Sequence, residues 1–585
     1  MTDASATPPA PEAPTPEQGS LALAQPEDAH TVAEWEAAAA AVLRKSGGIK
    51  DDESDAVVWD RLTRTTLDGI AVTPLGLPAE QPYAGHRPAR AGAWDIRALV
   101  SGSDDKLANE EALVDLDGGV TSLWVQVGES TDLATVLDGV LLDLAPVVLD
   151  APERAREAAQ AFLALVSDKG VTPHPDTNLG ADARSADPAG LVEVARLARE
   201  IGIRGVVVDA VDAHDRGASD VQELGYALAL GVTALRTLVD AGLSVAEAAA
   251  TVDFRFAATD EQFPTIAKLR AARRLWARVL ELSGAEGVDQ RQHAVTSRPM
   301  LSKYDPYVNM LRGTVAAFAA GVGGADAVTV LPFDSALGRP EAFGRRIARN
   351  VSHLLIDESH VAAVADPAGG AYAVEKLTDD LAAAGWAEFQ RLEAEGAGGA
   401  GGFGAFEARV AEVAARREQE IATRKRPITG LSEFPNLAET LPERAPDPLN
   451  AVPRYGASFE ALRDEPATTP VFLATLGTVA QHTARASFAI NLLAAGGIAV
   501  EVAGATVDAE DLTGKYRAAG SPAVVCLAGS DAAYADWGAA AADALRAAGA
   551  TDVIIAGKAT DYADDNCAMG IDALAFLRRV REKLA

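Results

Sequence analysis

Cysteine is almost missing. Two residues in 585, Cys526 and Cys567, exclude a disulfide framework and a cysteine-built zinc site, and the apolar run Ala523-Val-Val-Cys-Leu527 reads Cys526 as core. Positive charge is short as well. Lys and Arg total 52 against 84 Asp and Glu, a formal charge of -32 with a pI near 4.6, which argues against a nucleic-acid or anionic-membrane surface. No apolar run reaches the length that spans a bilayer. No Lys or Arg precedes Arg44, so neither a signal peptide nor an Arg-rich transit peptide is expected. A soluble, cytoplasmic chain is the expectation.

What is present is a long globular sequence, 48% hydrophobic, and too long for one ordinary core. Residues 1–27, rich in Pro, Ala and Glu, read as a disordered or extended arm. Within 28–56 the spacing predicts a helix: Thr31 and Glu34 make a capping box and Gly47-Gly48 a stop. Trp35, Val42 and Leu43 give it a sticky edge that docks on the chain's own body or on a partner. From 57 to 425 short apolar runs alternate with helical patterns. The strand candidates are 122–127, 146–149, 205–208, 252–256, 293–296, 327–331 and 361–364. A helix over 263–280 carries Phe263, Ile266, Leu269, Trp276 and Val279 at helical spacing. Repeated strand–helix units of this length predict a (β/α)8 TIM-type barrel, with its site at the carboxyl ends of the strands. The run Glu395 to Gly404 reads as a loop and 426–469 as a linker. Residues 470–585 read as a doubly wound domain with strands at 471–476, 499–502, 523–527 and 553–555. The fold class is α/β.

The last domain opens with Val471-Phe-Leu-Ala-Thr-Leu476, then Gly477-Thr-Val-Ala-Gln-His482-Thr-Ala-Arg485. This strand, loop and helix resemble the opening of flavodoxin-like cobalamin-binding domains, whose loop reads Asp-x-His-x-x-Gly. There the His ligates cobalt, the Asp holds its other ring nitrogen, and the Gly lets the backbone approach the corrin. Here only His482 remains. Ala480 stands at the Asp position and Arg485 at the Gly position. A ligating His without its carboxylate partner is poorly oriented, and Arg fills space that Gly leaves open. The domain reads as a degenerate cobalamin-binding-type domain.

Further strings carry a wider resemblance. Ala267-Lys-Leu-Arg-Ala-Ala-Arg-Arg-Leu-Trp276, Ile347-Ala-Arg-Asn350, Glu358-Ser359, Asp366-Pro-Ala-Gly-Gly-Ala-Tyr-Ala-Val-Glu375, and Gly217-Ala-Ser219 with Glu223 and Tyr226 resemble the methylmalonyl-CoA mutase family, as does the order of barrel, linker and cobalamin-type domain. The resemblance implies radical rearrangement of acyl-CoA skeletons with adenosylcobalamin. It also implies a Tyr wedged against cofactor and substrate and a His on the thioester carbonyl. Carried across, the Tyr position falls on Ala89 and the His position on Asp212, where a carboxylate would repel a developing carbonyl radical anion. His214, two residues on, reads as a substitute if the segment is a strand, or as a surface or loop-end histidine. The family's His-Ser-Gln-Thr-Ser string stands as His293-Ala-Val-Thr-Ser297, with Val295 for Gln.

Other candidates have plainer readings beside the functional one. His482 is a lone metal ligand or an ordinary histidine. His174, in Thr172-Pro-His-Pro175, is a turn residue. Arg345, Arg346 and Arg349 meet CoA phosphates or pair with carboxylates. Tyr562 and the acidic run Asp561 to Asp565 lie where a phosphate-bearing cofactor tail would be gripped, and the carboxylates would repel it. No catalytic, cofactor-binding or metal residue is therefore assigned in this chain. The pattern resembles the small, non-catalytic (beta) subunits of the family's heterodimeric bacterial enzymes. That resemblance implies a large (alpha) partner subunit carrying adenosylcobalamin and interconverting (R)-methylmalonyl-CoA and succinyl-CoA. The alternative is an independent acyl-CoA-binding protein or enzyme that reuses the barrel pocket without cobalamin.

Overall fold

The computed structural model describes residues 29–78, 90, 92–397 and 402–585. The arm 1–27 and Ala89 lie outside the described residues. The chain divides into two compact units, one running to Thr65 with Ala71–Leu75, the other comprising Thr66–Ile70 and Gly76–Ala585.

In the first unit the helix is Val32–Ser46, capped by Thr31 and Glu34 in a reciprocal box and ended by Gly47 at φ 74°, a conformation glycine adopts without strain. Its Trp35 packs on Trp59 with ring centroids 4.7 Å apart, and Ala40, Ile49 and Val58 form a small core. A two-stranded antiparallel pair, β1 (Arg64–Thr65) and β2 (Ala71–Val72), completes it.

The second unit opens with a closed, wholly parallel barrel. Its strands are β3 (Asp95–Val100), β4 (Ser122–Gln126), β5 (Val147–Asp150), β6 (Asn178–Asp182), β7 (Arg204–Asp209), β8 (Val252–Ala258), β9 (Arg291–Thr296) and β10 (Ala327–Thr329), with β10 pairing back onto β3. Six of the expected strands stand where the spacing puts them. The seventh, 361–364, is instead a single helical turn, Val361–Ala363; β3 and β6 fill the remaining staves. The helix expected over 263–280 runs Gln262–Leu282, with Ile266, Leu269, Trp276 and Val279 buried and Phe263 exposed.

The strings that carry the family resemblance interlock through buried ion pairs. Lys268 Nζ lies 2.6 Å from Glu223 and 2.9 Å from Asp220. Arg270 bridges Asp366 at 2.8 Å and Glu375 at 2.9 Å. Lys268 is fully buried. Burial works to lower its pKa, but Asp220 and Glu223 outweigh it and hold the ammonium charged.

The C-terminal sheet runs β12 (Val500–Val502), β11 (Val471–Thr475), β13 (Val524–Ala528), β14 (Asp552–Ala556), β15 (Asp565–Cys567), parallel throughout. Counted from β11, the order is 2-1-3-4-5. Alternate side chains face two helical layers. Leu473, Cys526 and Ile554 meet Leu493 and Phe576 on one side, while Phe472, Val525 and Val553 meet Leu512, Tyr516 and Leu545 on the other. The segment 426–469 joins this core. Its Ala457–Asp464 helix inserts Phe459, fully buried, beside Leu473 and Leu493. Phe459→Ala is expected to cost about 3–5 kcal/mol in urea unfolding; a loss under about 1 kcal/mol would mean this segment is a loose tether.

Candidate functional site

β8 shows how the barrel interior is filled. Its alternation puts Phe254 and Phe256 on one face and Asp253 and Arg255 on the other. Phe254 meets Trp276 of the surrounding helices, so Arg255 faces the axis. Its guanidinium lies 4.1 Å from the Trp124 ring and donates to Asp209 at 2.7 Å. Trp124 Nε1 donates to Asp150 at 3.0 Å, and its ring meets His293 edge-on at 5.5 Å. His293 Nε2 lies 2.8 Å from Thr329 Oγ1; burial, then Arg97, Arg255 and Arg291, push its pKa well below the ordinary range. Leu99, Trp124, Val211, Ala257, Val295 and Leu331 form one apolar layer at the carboxyl end. These residues come from six staves or the segments just after them, so large side chains occupy the axis.

The carried-over positions behave differently from one another. Val295 is in the axial layer. Asp212 and His214 sit in a short helix, Val211–Asp215, not a strand, so two residues do not restore the same face. Asp212 is held by Arg184 at 2.9 Å, Arg216 at 2.7 Å and Tyr226 Oη at 3.1 Å. Its charge is balanced there, which corrects the picture of a bare repelling carboxylate. His214 is buried, not a surface histidine. Its Nε2 is 2.7 Å from Ser297 Oγ, and burial, then Lys268, Arg417 and Arg298, hold it neutral.

At the C-terminal sheet, Gly477 (φ 84°) turns the chain, and Thr478 with Gln481 caps a helix that begins at Val479. His482 is therefore helical. It lies on the same buried face as Ala486, Ala489 and Leu493, and its Nδ1 is buried without a hydrogen-bond partner. Arg485 crosses the crevice between strand ends. It donates to the Gly529 carbonyl at 2.7 Å, pairs with Asp531, and stacks 4.8 Å over Tyr534, whose hydroxyl bonds the carbonyls of Leu527 and Ala556.

The remaining candidates have structural partners. His174 Nδ1 accepts the Asp176 amide at 3.1 Å within a turn. Arg345 and Arg349 pair with Asp115, and Arg346 lies 5.5 Å from the Phe343 ring. In the acidic run, Asp564 pairs with Arg546 and Asp565 with Arg579, so much of its charge is neutralised. Among the described residues no His, Cys, Asp and Glu group is disposed to hold a metal, and no helix is long and apolar enough to cross a membrane. Trp124, Arg255 and Arg298 escaped the sequence reading. The signal was there in β8: a charged residue alternating with aromatics in a doubly covered parallel strand must point down the axis.

Carboxylates crowd the barrel mouth. Burial raises Asp182 to about 6; the Arg184 amide opposes this, while Asp209, Asp150 and Asp212 add to it. The native state thus holds a proton that the unfolded chain releases near pH 3.8. Stability present at low pH is lost as pH rises through about 6. Asp182→Asn keeps the acceptor for the Arg184 amide. It should stabilise the fold by about 1–2 kcal/mol at pH 7.5, after screening, with the gain shrinking towards zero by pH 4. A pH-independent gain in denaturation midpoints would contradict this.

A family model described as methylmalonyl-CoA mutase matches residues 198–512. The methylmalonyl-CoA mutase small subunit of Streptomyces virginiae is 44% identical over 564 residues, covering 88% of this chain and 90% of that protein. The small subunit of Propionibacterium freudenreichii subsp. shermanii is 38% identical, with 78% of each chain covered. The methylmalonyl-CoA mutase of Escherichia coli is 34% identical over 38% of this chain and 31% of its own length. A chain this similar to those proteins over this much of its length belongs to the methylmalonyl-CoA mutase family, among its small subunits.

Proposed function

We propose that this chain is the non-catalytic subunit of a heterodimeric, cytoplasmic, adenosylcobalamin-dependent mutase. A homologous large subunit would hold the cofactor and interconvert (R)-methylmalonyl-CoA and succinyl-CoA. In such a partner, adenosylcobalamin supplies the radical; this chain supplies a rigid body against which the partner assembles. One observation carries the reading above the others: at the carboxyl end of the barrel, where such a fold carries its site, Trp124 stacked on Arg255 fills the axis together with the apolar layer that includes Val295.

The C-terminal sheet, in its 2-1-3-4-5 order, is read as a flavodoxin-like domain of the cobalamin-binding type that does not fit a corrin. Arg485 occupies the crevice where a glycine would leave room. Ala480 offers no carboxylate to orient the imidazole, and His482 is turned into the helix's buried face. The reading of an independent acyl-CoA enzyme fares worse. It needed Asp212 and His214 to serve a ligand, yet Asp212 is balanced by two arginines and His214 is bonded to Ser297.

Co-expression with a neighbouring homologue that retains Asp-x-His-x-x-Gly tests this. A stable one-to-one complex with mutase activity is expected, with no turnover from either preparation of this chain alone, with or without added adenosylcobalamin. A chain that purifies without partner and turns over unaided would overturn it.

A further inference from the structure

Two neighbouring helices of the barrel's outer ring break the chain's charge pattern. Val308–Val322 lies between β9 and β10, and Ala342–His353 follows β10. Neither contains an Asp or a Glu, in a chain with 84 of them. The first helix has one charged residue, Arg312, which is buried and donates to Ser302, Asn309 and the Thr429 carbonyl. Its outward positions are therefore uncharged. Leu311 is 68% exposed, and Thr314 and Val315 are partly buried. An outer helix ordinarily shows charge to water, and one that is apolar on every side is ordinarily covered.

A row of rings carries the apolar surface from one helix to the next. Tyr307, at the start of the first helix, is 65% exposed and stacks on Phe333 at 5.4 Å. Phe333 meets Phe343 edge-on at 5.8 Å. Phe343 is 46% exposed, and the Arg346 guanidinium lies 5.5 Å from its ring. Arg345 and Arg349 turn inward to Asp115. Arg346 is exposed, and none of the described carboxylates pairs with it. Aromatic rings around an arginine, with no carboxylate among them, have the composition of a protein–protein interface core.

The unmatched arginine selects the occupant. Were a second copy to cover this face, a two-fold contact would set the patch against itself. Each Arg346 would then be buried against a surface without a carboxylate, at a cost. Two chains of formal charge -32 would also repel as they met. A different chain can supply the missing acid. We propose that the face made by Val308–Val322 and Ala342–His353 is where the large subunit docks, presenting an apolar surface with an Asp or Glu placed against Arg346. The inference rests on the subunit role proposed above and adds the surface through which it acts.

Thiol labelling tests it, because Cys526 and Cys567 are both buried and an introduced surface thiol is the one that reacts. Leu311→Cys should react rapidly with a maleimide in the chain alone and slowly in the complex co-purified with the large-subunit homologue. Leu144→Cys, on a turn ahead of β5 and 67% exposed, should react equally in both. Arg346→Glu should raise the Kd of the complex at least about tenfold and leave the melting temperature of the chain alone unchanged. A complex in which Leu311→Cys stays reactive, or an unchanged Kd for Arg346→Glu, overturns this surface and leaves the subunit role standing. Protection of Leu311→Cys in the chain alone also overturns it, because the N-terminal arm or a second copy then covers the face. No complex from the unaltered chains overturns both readings.

Discussion

Arg255 stacked on Trp124 is the contact around which the barrel is organised. Eight parallel strands closed on themselves enclose a volume that must be filled by side chains or given to a ligand. Here it is filled. A buried guanidinium is tolerable only with compensating charge. Asp209 supplies that at 2.7 Å and Asp150 at 3.8 Å, while the indole offers its face as a further partner. Trp124 is in turn fixed by its bond to Asp150. A ring, a cation and two carboxylates from four strands lock one another. Removing Asp209 or Asp150 strips the buried Arg255 of compensating charge.

The same logic explains which stretches of sequence keep the family's wording. Lys268 and Arg270 project from one helix to opposite partners, Glu223 with Asp220 on one side and Asp366 with Glu375 on the other. These residues hold helices and loops in register. On the proposed reading, a chain that has given up the catalytic positions keeps these strings for the sake of its shape, while the family resemblance puts its departures at Ala89, Asp212, Val295, Ala480 and Arg485.

Much of the architecture was legible because buried parallel strands are apolar runs. The strands that escaped notice break that rule. β3 carries Asp95 and Arg97, paired with each other inside the barrel. β6 reads Asn-Leu-Gly-Ala-Asp, and its Asn178 is satisfied by the Val206 carbonyl and Asp253. β15 lies in the acidic run, with Asp565 tied to Arg579. The false strand at 361–364 is apolar but follows His360 at φ 53° and leaves Val364 exposed; a closed barrel offers it no edge. His214, read as a surface or loop-end histidine or, in a strand, as a substitute, is instead helical and buried because its partner Ser297 lies 83 residues away in the chain. The substitution at Arg485 was visible in the sequence, but its reach to Gly529 and Asp531 was not, since those partners lie some 45 residues away.

In the barrel Trp124 and Arg255 fill the axis, and at the C-terminal sheet Arg485 reaches Gly529 and Asp531; the proposed function rests on both. The most direct measurement is the visible absorbance of the isolated full-length chain titrated with adenosylcobalamin and then dialysed. The account predicts a colourless protein, with no shift in the corrin bands and no retained cofactor. A retained, light-sensitive chromophore with His482 as its lower ligand would contradict it.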